Sequence, residues 1–236
     1  MSVRHLLAPP LARTGYLEAL ELQRRLAGAR ISGALQEDVL LLVEHPSVVT
    51  LGRSTKMRNL TTPRSFLNSL GVEVHEVERG GDVTYHGPGQ LVGYPILDLQ
   101  HHTQDLHWYL RQVEEVLIRA CAVHGLESER SEGFTGVWTG GRKLASIGVH
   151  SKSWVTWHGF ALNVCTDLSY FDLIVPCGIA DVSMTSLARE LGDRSPGTEL
   201  FADTVLGAFC DVFALSPRAC SFEELAEVTG EVALAG

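Results

Sequence analysis

Three stretches of this chain place reactive side chains on backbone that turns freely, and together they pose the chemical question. In Val175-Pro176-Cys177-Gly178-Ile179 a thiol stands between a proline and a glycine, which hold it in a loop rather than on a packed stripe. A free cysteine has a pKa of about 8.5, so a nearby cation is needed before much of it is a nucleophilic thiolate at neutral pH. Gly140-Gly141-Arg142-Lys143 supplies a candidate cation, because Lys143 opens the apolar and small run Leu144-Ala145-Ser146-Ile147-Gly148-Val149. Each has a plainer reading by itself: the cysteine as a loop thiol facing the core, the lysine as a solvated hairpin end. The third stretch, Arg79-Gly80-Gly81-Asp82-Val83-Thr84-Tyr85-His86-Gly87-Pro88-Gly89-Gln90, has four glycines and one proline among twelve residues. That density reads either as a binding cradle lined by main-chain N–H groups or as a tight hairpin with incidental polar residues. It is neither GxGxxG after a first strand nor a P-loop, so nucleotide motifs of those kinds are excluded.

The elements that must position these stretches follow from periodicity. Thr14 reads as the N-cap of a helix over Gly15 to Ala27, with Gly28 as its stop. Val39 to Val43 is a wholly apolar run and reads as a strand buried on both faces, and Val48-Val49-Thr50-Leu51 as a second. Pro63 and Gly71 bracket a short helix, and Val72 to Glu78 alternates as a half-exposed strand leading into the glycine-rich loop. Leu91 to Leu99 leads out as another strand. The longest helix starts at Thr103 and runs to Gly125, with Leu106, Leu110, Val113, Leu117 and Cys121 as its apolar stripe. Gly136-Val137-Trp138, the Gly140-Gly141 turn and Lys143 to His150 read as a hairpin. Val155 to Val164 is a further strand in which Gly159 marks close backbone approach or a bulge. Asp167 to Asp181 is irregular, and two helices close the chain, from Thr198 or Glu199 to Phe213 and from Phe222 to Val228; the last few residues carry little signal. Strand pairs without intervening helices, mixed with a few helical segments, predict an α/β or α+β fold with a mixed, largely antiparallel sheet flanked by helices.

Bulk properties narrow the function classes. The 236 residues are 45% hydrophobic and 20% charged, which is ordinary globular composition, and we expect one domain over 1–236. A net charge of -9, from 19 basic and 28 acidic side chains, argues against nucleic acid as the main partner. Five scattered cysteines, at 121, 165, 177, 210 and 220, fit reduced intracellular usage rather than a disulfide framework. The leader MSVRHLLAPPLART is broken by two prolines, so no signal peptide is expected, and no uncharged run approaches the ~20 residues that span a bilayer. The expectation is a soluble cytoplasmic protein with no membrane partner, a monomer. Ten histidines without HxxxH or HExxH spacing leave a metal site unsupported.

The motifs together resemble the lipoyl(octanoyl) transferases, the octanoyl-[acyl-carrier-protein]:protein N-octanoyltransferases of lipoate biosynthesis. The resemblance runs in order through His45-Pro46, Thr50-Leu51-Gly52-Arg53, RGGDVTYHGPGQLVGYPILDL at 79–99 and Gly141-Arg142-Lys143-Leu144-Ala145-Ser146-Ile147-Gly148. It continues through Gly159-Phe160-Ala161-Leu162-Asn163-Val164 and Pro176-Cys177-Gly178-Ile179 to Thr185-Ser186-Leu187. It implies a fold like the catalytic domain of biotin/lipoyl protein ligases and a cysteine–lysine dyad, Cys177 and Lys143. The implied reaction carries an octanoyl group from the phosphopantetheine thiol of acyl carrier protein to Cys177 as a thioester. It then passes to the ε-amine of a lysine on lipoyl domains of 2-oxoacid dehydrogenase E2 subunits or on the glycine cleavage H protein. Thioester to amide runs downhill, so no cofactor, ATP or metal is expected. The resemblance places acyl-pocket segments at Arg79, Gly80, Gly81, Asp82, Val83, Thr84, Tyr85 and His86, at Ser146, Ile147 and Gly148, and at Gly159, Phe160 and Ala161. Main-chain N–H groups near Ile147 or Gly148 are candidates for the oxyanion. His86 is open to either an orienting role or a purely structural one, and Arg79 with Asp82 to a bracing ion pair. Arg53, Lys56 and Arg58 are expected to offer a basic face to the acidic carrier. Two other classes stand against this: an ATP-dependent lipoate or biotin ligase of the same fold, and a non-catalytic acyl-binding or metal-binding module.

Overall fold

A computed structural model describes residues 4–178 and 182–228 of the chain, without the side chain of Cys177. In chain order its first half comprises β1 (His5–Ala8), β2 (Ala12–Arg13), α1 (Tyr16–Ser32), β3 (Asp38–Glu44), β4 (Val48–Leu51), α2 (Arg64–Ser69), β5 (Glu73–Glu76), β6 (Val83–His86) and β7 (Gln90–Ile96). The second half comprises α3 (Leu106–Val123), β8 (Gly136–Thr139), β9 (Arg142–Lys152), β10 (Val155–Asn163), α4 (Leu187–Leu191), α5 (Thr198–Phe213), β11 (Ser216–Ala219) and α6 (Phe222–Val228).

The strands form two sheets. The larger has the order β11-β1-β3-β7-β10-β9-β8, with β2 added on β3, and the smaller the order β5-β4-β6. Pairing is parallel where β1 meets β11 and β3, where β2 meets β3 and where β4 meets β5; it is antiparallel from β3 through β7, β10 and β9 to β8. The fold is thus mixed α/β, and the antiparallel half carries Lys143. A single sheet was expected, so the second one is a correction. Its third strand, β6, lies inside the glycine-rich stretch that reads as a loop.

Alternation explains the layers. Leu40 and Leu42 of β3 join Tyr109, Val113 and Leu117 of α3 and Phe201, Val205 and Phe209 of α5 in one core. Val39, Leu41 and Val43 join Leu22 and Leu26 of α1 on the opposite face, so β3 is buried on both sides, as its unbroken apolar run requires. Val49, Leu51, Val83 and Tyr85 of the small sheet pack with Leu67 of α2 and with Phe171 and Ile174.

Several boundaries differ from expectation for definite reasons. Gly15, not Thr14, is the N-cap of α1, and Thr14 Oγ1 donates instead to Glu18 Oε2 at 2.8 Å. The helix runs through Gly28 and stops at Gly33, whose φ of 78° forms a left-handed cap. An interior glycine costs about 1 kcal/mol, which the buried turn beyond it offsets: Arg30 pairs with Asp38 at 2.9 Å and both are buried. Asp105 caps α3, accepting from His107 and Trp108 N–H, so that helix starts three residues later than Thr103. Neither β1 nor β11 was expected; both are four residues long, and Pro217 sits where β11 is the sheet edge, the position that tolerates a missing N–H.

Candidate functional site

A cavity of about 450 Å³ lies between the antiparallel half of the large sheet and the small sheet. Its lining includes Arg79, Gly80, Gly81, Asp82, Thr84, His86, Lys143, Ser146, Ile147, Gly148, Gly159, Phe160, Ala161 and Gly178, residues that lie apart in sequence. Val83 and Tyr85, expected in the acyl pocket, are not in this lining. Strand alternation turns them to the far face of β6, into the core beneath the small sheet, while Thr84 and His86 face the cavity. The sequence reading missed Tyr16, Val92, Tyr94, Leu110, Gly133, Phe134, Thr135, Val149 and His158, which also line it.

Lys143 is brought in by the β8–β9 hairpin, whose Gly140 and Gly141 have φ of 51° and 75°, the left-handed pair of a tight two-residue turn. Far from a solvated hairpin end, Lys143 is 2% exposed, with Nζ 4.8 Å from the Trp138 ring centroid. Gly136 makes room for it: a Cβ there would stand 3.1 Å from Lys143 Cε.

Cys177 falls in a single 3-10 turn, Pro176–Gly178. Its side chain lies outside the described residues, as do residues 179–181, Ile179 among them. Main-chain and side-chain bonds fix the segment on both sides of the turn. Before it, Val175 N–H donates to Asn59 O at 2.8 Å, and Thr61 Oγ1 donates to Leu173 O at 2.9 Å. After it, Lys143 N–H donates to Ser183 O at 2.8 Å and Thr185 N–H to Lys143 O at 2.9 Å. Residues 183–185, which follow the thiol-bearing turn in the chain, are thus tied to the backbone of the cavity lysine. Gly178, at φ 65°, packs so closely on the site that a Cβ would lie 2.5 Å from Asp82 Oδ2.

Arg79 and Asp82 engage different partners from the mutual brace considered above. Arg79 donates to Thr50 O and Oγ1 at 2.7 and 2.9 Å, locking the glycine-rich segment to β4. Asp82 accepts from Asn59 Nδ2 at 2.5 Å and from Val83 N–H at 2.7 Å. Glycines permit this docking: a Cβ at Gly52 would lie 2.4 Å from Gly81 O, and one at Gly148 would lie 2.8 Å from Gly80 O. Close approach here is of backbone to backbone as much as of backbone to ligand.

His86 is buried and bonded through Nδ1 to Gln90 Oε1 at 2.8 Å. Gln90 Nε2 donates to Tyr85 O and to Asn163 Oδ1, which fixes the amide orientation and makes His86 Nδ1 the donor. Burial pushes the His86 pKa down to about 3, helped by His45 nearby; burial likewise pushes His45 to about 4. Both rings are neutral at pH 7, leaving His86 Nε2 an acceptor. Asn163 Nδ2 donates to Thr185 O at 2.9 Å, so one chain of hydrogen bonds links His86 through Gln90 and Asn163 to the segment zipped onto Lys143.

Arg53, Lys56 and Arg58 are exposed, as are Arg64, Met57 and Phe66. Residues 45–72 hold these four cations and no Asp or Glu, on a chain of net charge -9. Asn59 and Thr61 join this surface to the Cys177 turn. Among the described residues, no group of three or more His, Cys, Asp or Glu side chains is placed to hold a metal ion, and no helix is long and apolar enough to cross a membrane.

Residues 15–210 match the family model for the lipoyl protein ligase A/B catalytic domain. An octanoyltransferase of Synechococcus elongatus is 48% identical over 221 residues, covering 94% of this chain and 93% of the relative. One from Acidobacterium capsulatum is 55% identical over 197 residues, covering 78% and 80%. Among solved structures, lipoate-protein ligase A bound with ATP superposes with a TM-score of 0.76 at 16% identity, over 97% of this chain and 93% of that one. A bipartite lipoate protein ligase from Thermoplasma acidophilum, solved in a study with its E2 lipoyl domain, gives 0.75 at 15% identity, over 97% and 91%. At those identities the structural likeness establishes the fold.

Proposed function

Because this chain belongs to the octanoyltransferases of the lipoyl protein ligase A/B catalytic-domain family, we propose that its octanoyl transfer proceeds through a thioester on Cys177, with Lys143 as the proton carrier. The chain is an acyltransferase acting in protein lipoylation, and its acceptors are lipoyl-domain proteins. The observation that carries the dyad is that the Pro176–Gly178 turn and the buried Lys143 meet at one cavity, with the chain after the turn hydrogen-bonded to the Lys143 main chain.

The reaction balances as two exchanges. In the first, the Cys177 thiolate, which the Lys143 ammonium at the same cavity would favour, attacks the octanoyl carbonyl of a carrier-protein thioester. The new C–S bond replaces the old one, and the departing pantetheine thiolate takes a proton from Lys143. In the second, the ε-amine of the acceptor lysine attacks the acyl-enzyme carbonyl. Its surplus proton passes to the neutral Lys143 amine, and the Cys177 thiolate leaves. One thioester and one amine give one amide and one thiol, so neither ATP nor a metal enters.

Each tetrahedral intermediate carries an oxyanion. Val149 turns its carbonyl to Gly80 N–H at 2.8 Å, away from β10. Two residues earlier, Ile147 directs its own N–H to that same side, toward the cavity, because backbone polar groups alternate along a strand. That N–H is the oxyanion donor of this reading.

Incubation with octanoyl-acyl carrier protein in the absence of ATP tests the proposal. A mass increase of one octanoyl group, released by hydroxylamine and discharged by a lipoyl domain or glycine cleavage H protein, supports it. Transfer of free octanoate only in the presence of ATP points to the ligase reading instead.

A further inference from the structure

One wall of the cavity differs in kind from the small and apolar surface around Ser146, Gly148, Gly159 and Ala161. His158 pairs with Val149 across β9 and β10, six positions along β9 from Lys143. The thioester carbonyl must lie within reach of the Lys143 amine and the Ile147 N–H, which leaves the cavity beyond Ile147, toward Val149, for the hydrocarbon tail. The glycine-rich segment follows the same path, touching Gly178 through Asp82 at one end and Val149 through Gly80 at the other. At that second end stands His158.

Its conformation is unusual. Successive residues of a strand face opposite sides, yet His158 and Gly159 both line the cavity. His158 itself has a φ of 54°, a left-handed conformation disfavoured for most residues with a Cβ. It is held by α1, where Gln23 Oε1 accepts the His158 N–H at 2.9 Å. His158 is 1% exposed, and its Nε2 faces the Glu78 carboxylate, 3.7 Å from Oε1, an ion-pair contact longer than a hydrogen bond. The wall is therefore both solid and polar. A longer chain would have to displace the ring and part it from Glu78, and both carry a cost.

We propose that His158 is the end stop of the acyl pocket, the residue that limits the transferred chain to about eight carbons. This rests on the acyl-transfer reading above. It makes His158 a specificity-determining residue, in contact with the distal methyl and remote from the reacting carbonyl.

The test compares acylation of the full chain by octanoyl, decanoyl and dodecanoyl thioesters of acyl carrier protein, followed by intact mass. His158→Gly removes the wall and suits the left-handed backbone; His158→Asn, also tolerant of that conformation, keeps the test available if the glycine variant does not fold. The dodecanoyl-to-octanoyl ratio should rise on the order of tenfold in His158→Gly, and by less in His158→Asn. An unchanged ratio in the folded variant overturns this inference and leaves the transfer reading standing. Failure of the unaltered chain to accept any of the thioesters overturns both.

Discussion

Gly148 and Gly159 stand directly opposite each other in the β9–β10 ladder, so a cross-strand position in the cavity wall has no side chain on either strand. Neighbouring backbone occupies the room this leaves. A Cβ on Gly159 would lie 2.2 Å from Gly93 O and 2.6 Å from Pro95 Cδ, both in β7, and one on Gly148 would meet Gly80 O at 2.8 Å. Gly159→Ala should therefore strain the sheet itself and cost roughly 1–3 kcal/mol of stability, read as a fall in the urea midpoint. Gly148→Ala presses on Gly80 O at the less severe 2.8 Å, so it should destabilise less, and by pushing the glycine-rich segment off the cavity wall it should slow octanoylation more. Equal thermal stability of Gly159→Ala and the unaltered chain would refute this geometry.

The hydrogen-bond chain from His86 through Gln90 and Asn163 to Thr185 makes Asn163 a positioning residue. Asn163→Ala leaves a Gln90 donor and the Thr185 carbonyl unpaired in the interior, a loss of about 1–3 kcal/mol. It also loosens the segment zipped onto Lys143. The acylation rate should fall with little change in the apparent KM for the donor. A rise in KM alone would mean that the network serves binding, not alignment of the dyad.

The buried imidazoles predict an acid-side loss of stability. His86 and His45 titrate near 3 and 4 in the folded chain, against about 6.5 when unfolded. Between those values the unfolded state binds protons that the folded state refuses, so stability is full above pH 6.5 and falls as pH drops toward 4. The slope is on the order of 1 kcal/mol per pH unit for each group. Urea midpoints at pH 7 and pH 5 measure it, and His45→Gln, which keeps polarity without the titration, should flatten the slope.

How far the sequence could be read differs between parts of the site. Lys143 and the Cys177 loop were visible because a glycine pair and a Pro-Cys-Gly triplet constrain the backbone locally, and local constraint is written in neighbouring residues. The strand within residues 83–86 was hidden by the glycines and proline around it, although apolar Val83 and Tyr85 alternate with polar Thr84 and His86, as in a strand with one face in the core and the other on a polar cavity. Tyr16, Tyr94 and His158 reach the cavity from α1, β7 and β10, and only tertiary packing brings them there. The left-handed turn at His158 is held by Gln23, 135 residues away, and its one short-range sign is Gly159, which reads as a close approach or a bulge without saying which residue turns.

The basic segment of residues 45–72 is adjacent to the Cys177 turn through Asn59 and Thr61. Charge reversal at Arg53, Lys56 and Arg58 together should raise the apparent KM for octanoyl-acyl carrier protein by about tenfold or more at low salt, with the effect shrinking as salt is added. Acylation by a small octanoyl thioester should be little affected. An unchanged KM for the carrier would place its docking surface elsewhere.

The central claim is that the octanoyl group resides on Cys177 between donor and acceptor. The most direct measurement is the intact mass of the unaltered chain and of Cys177→Ala after incubation with octanoyl-acyl carrier protein and no ATP. The unaltered chain should gain one hydroxylamine-labile octanoyl group and the variant none. Full, hydroxylamine-labile acylation of Cys177→Ala would contradict the account.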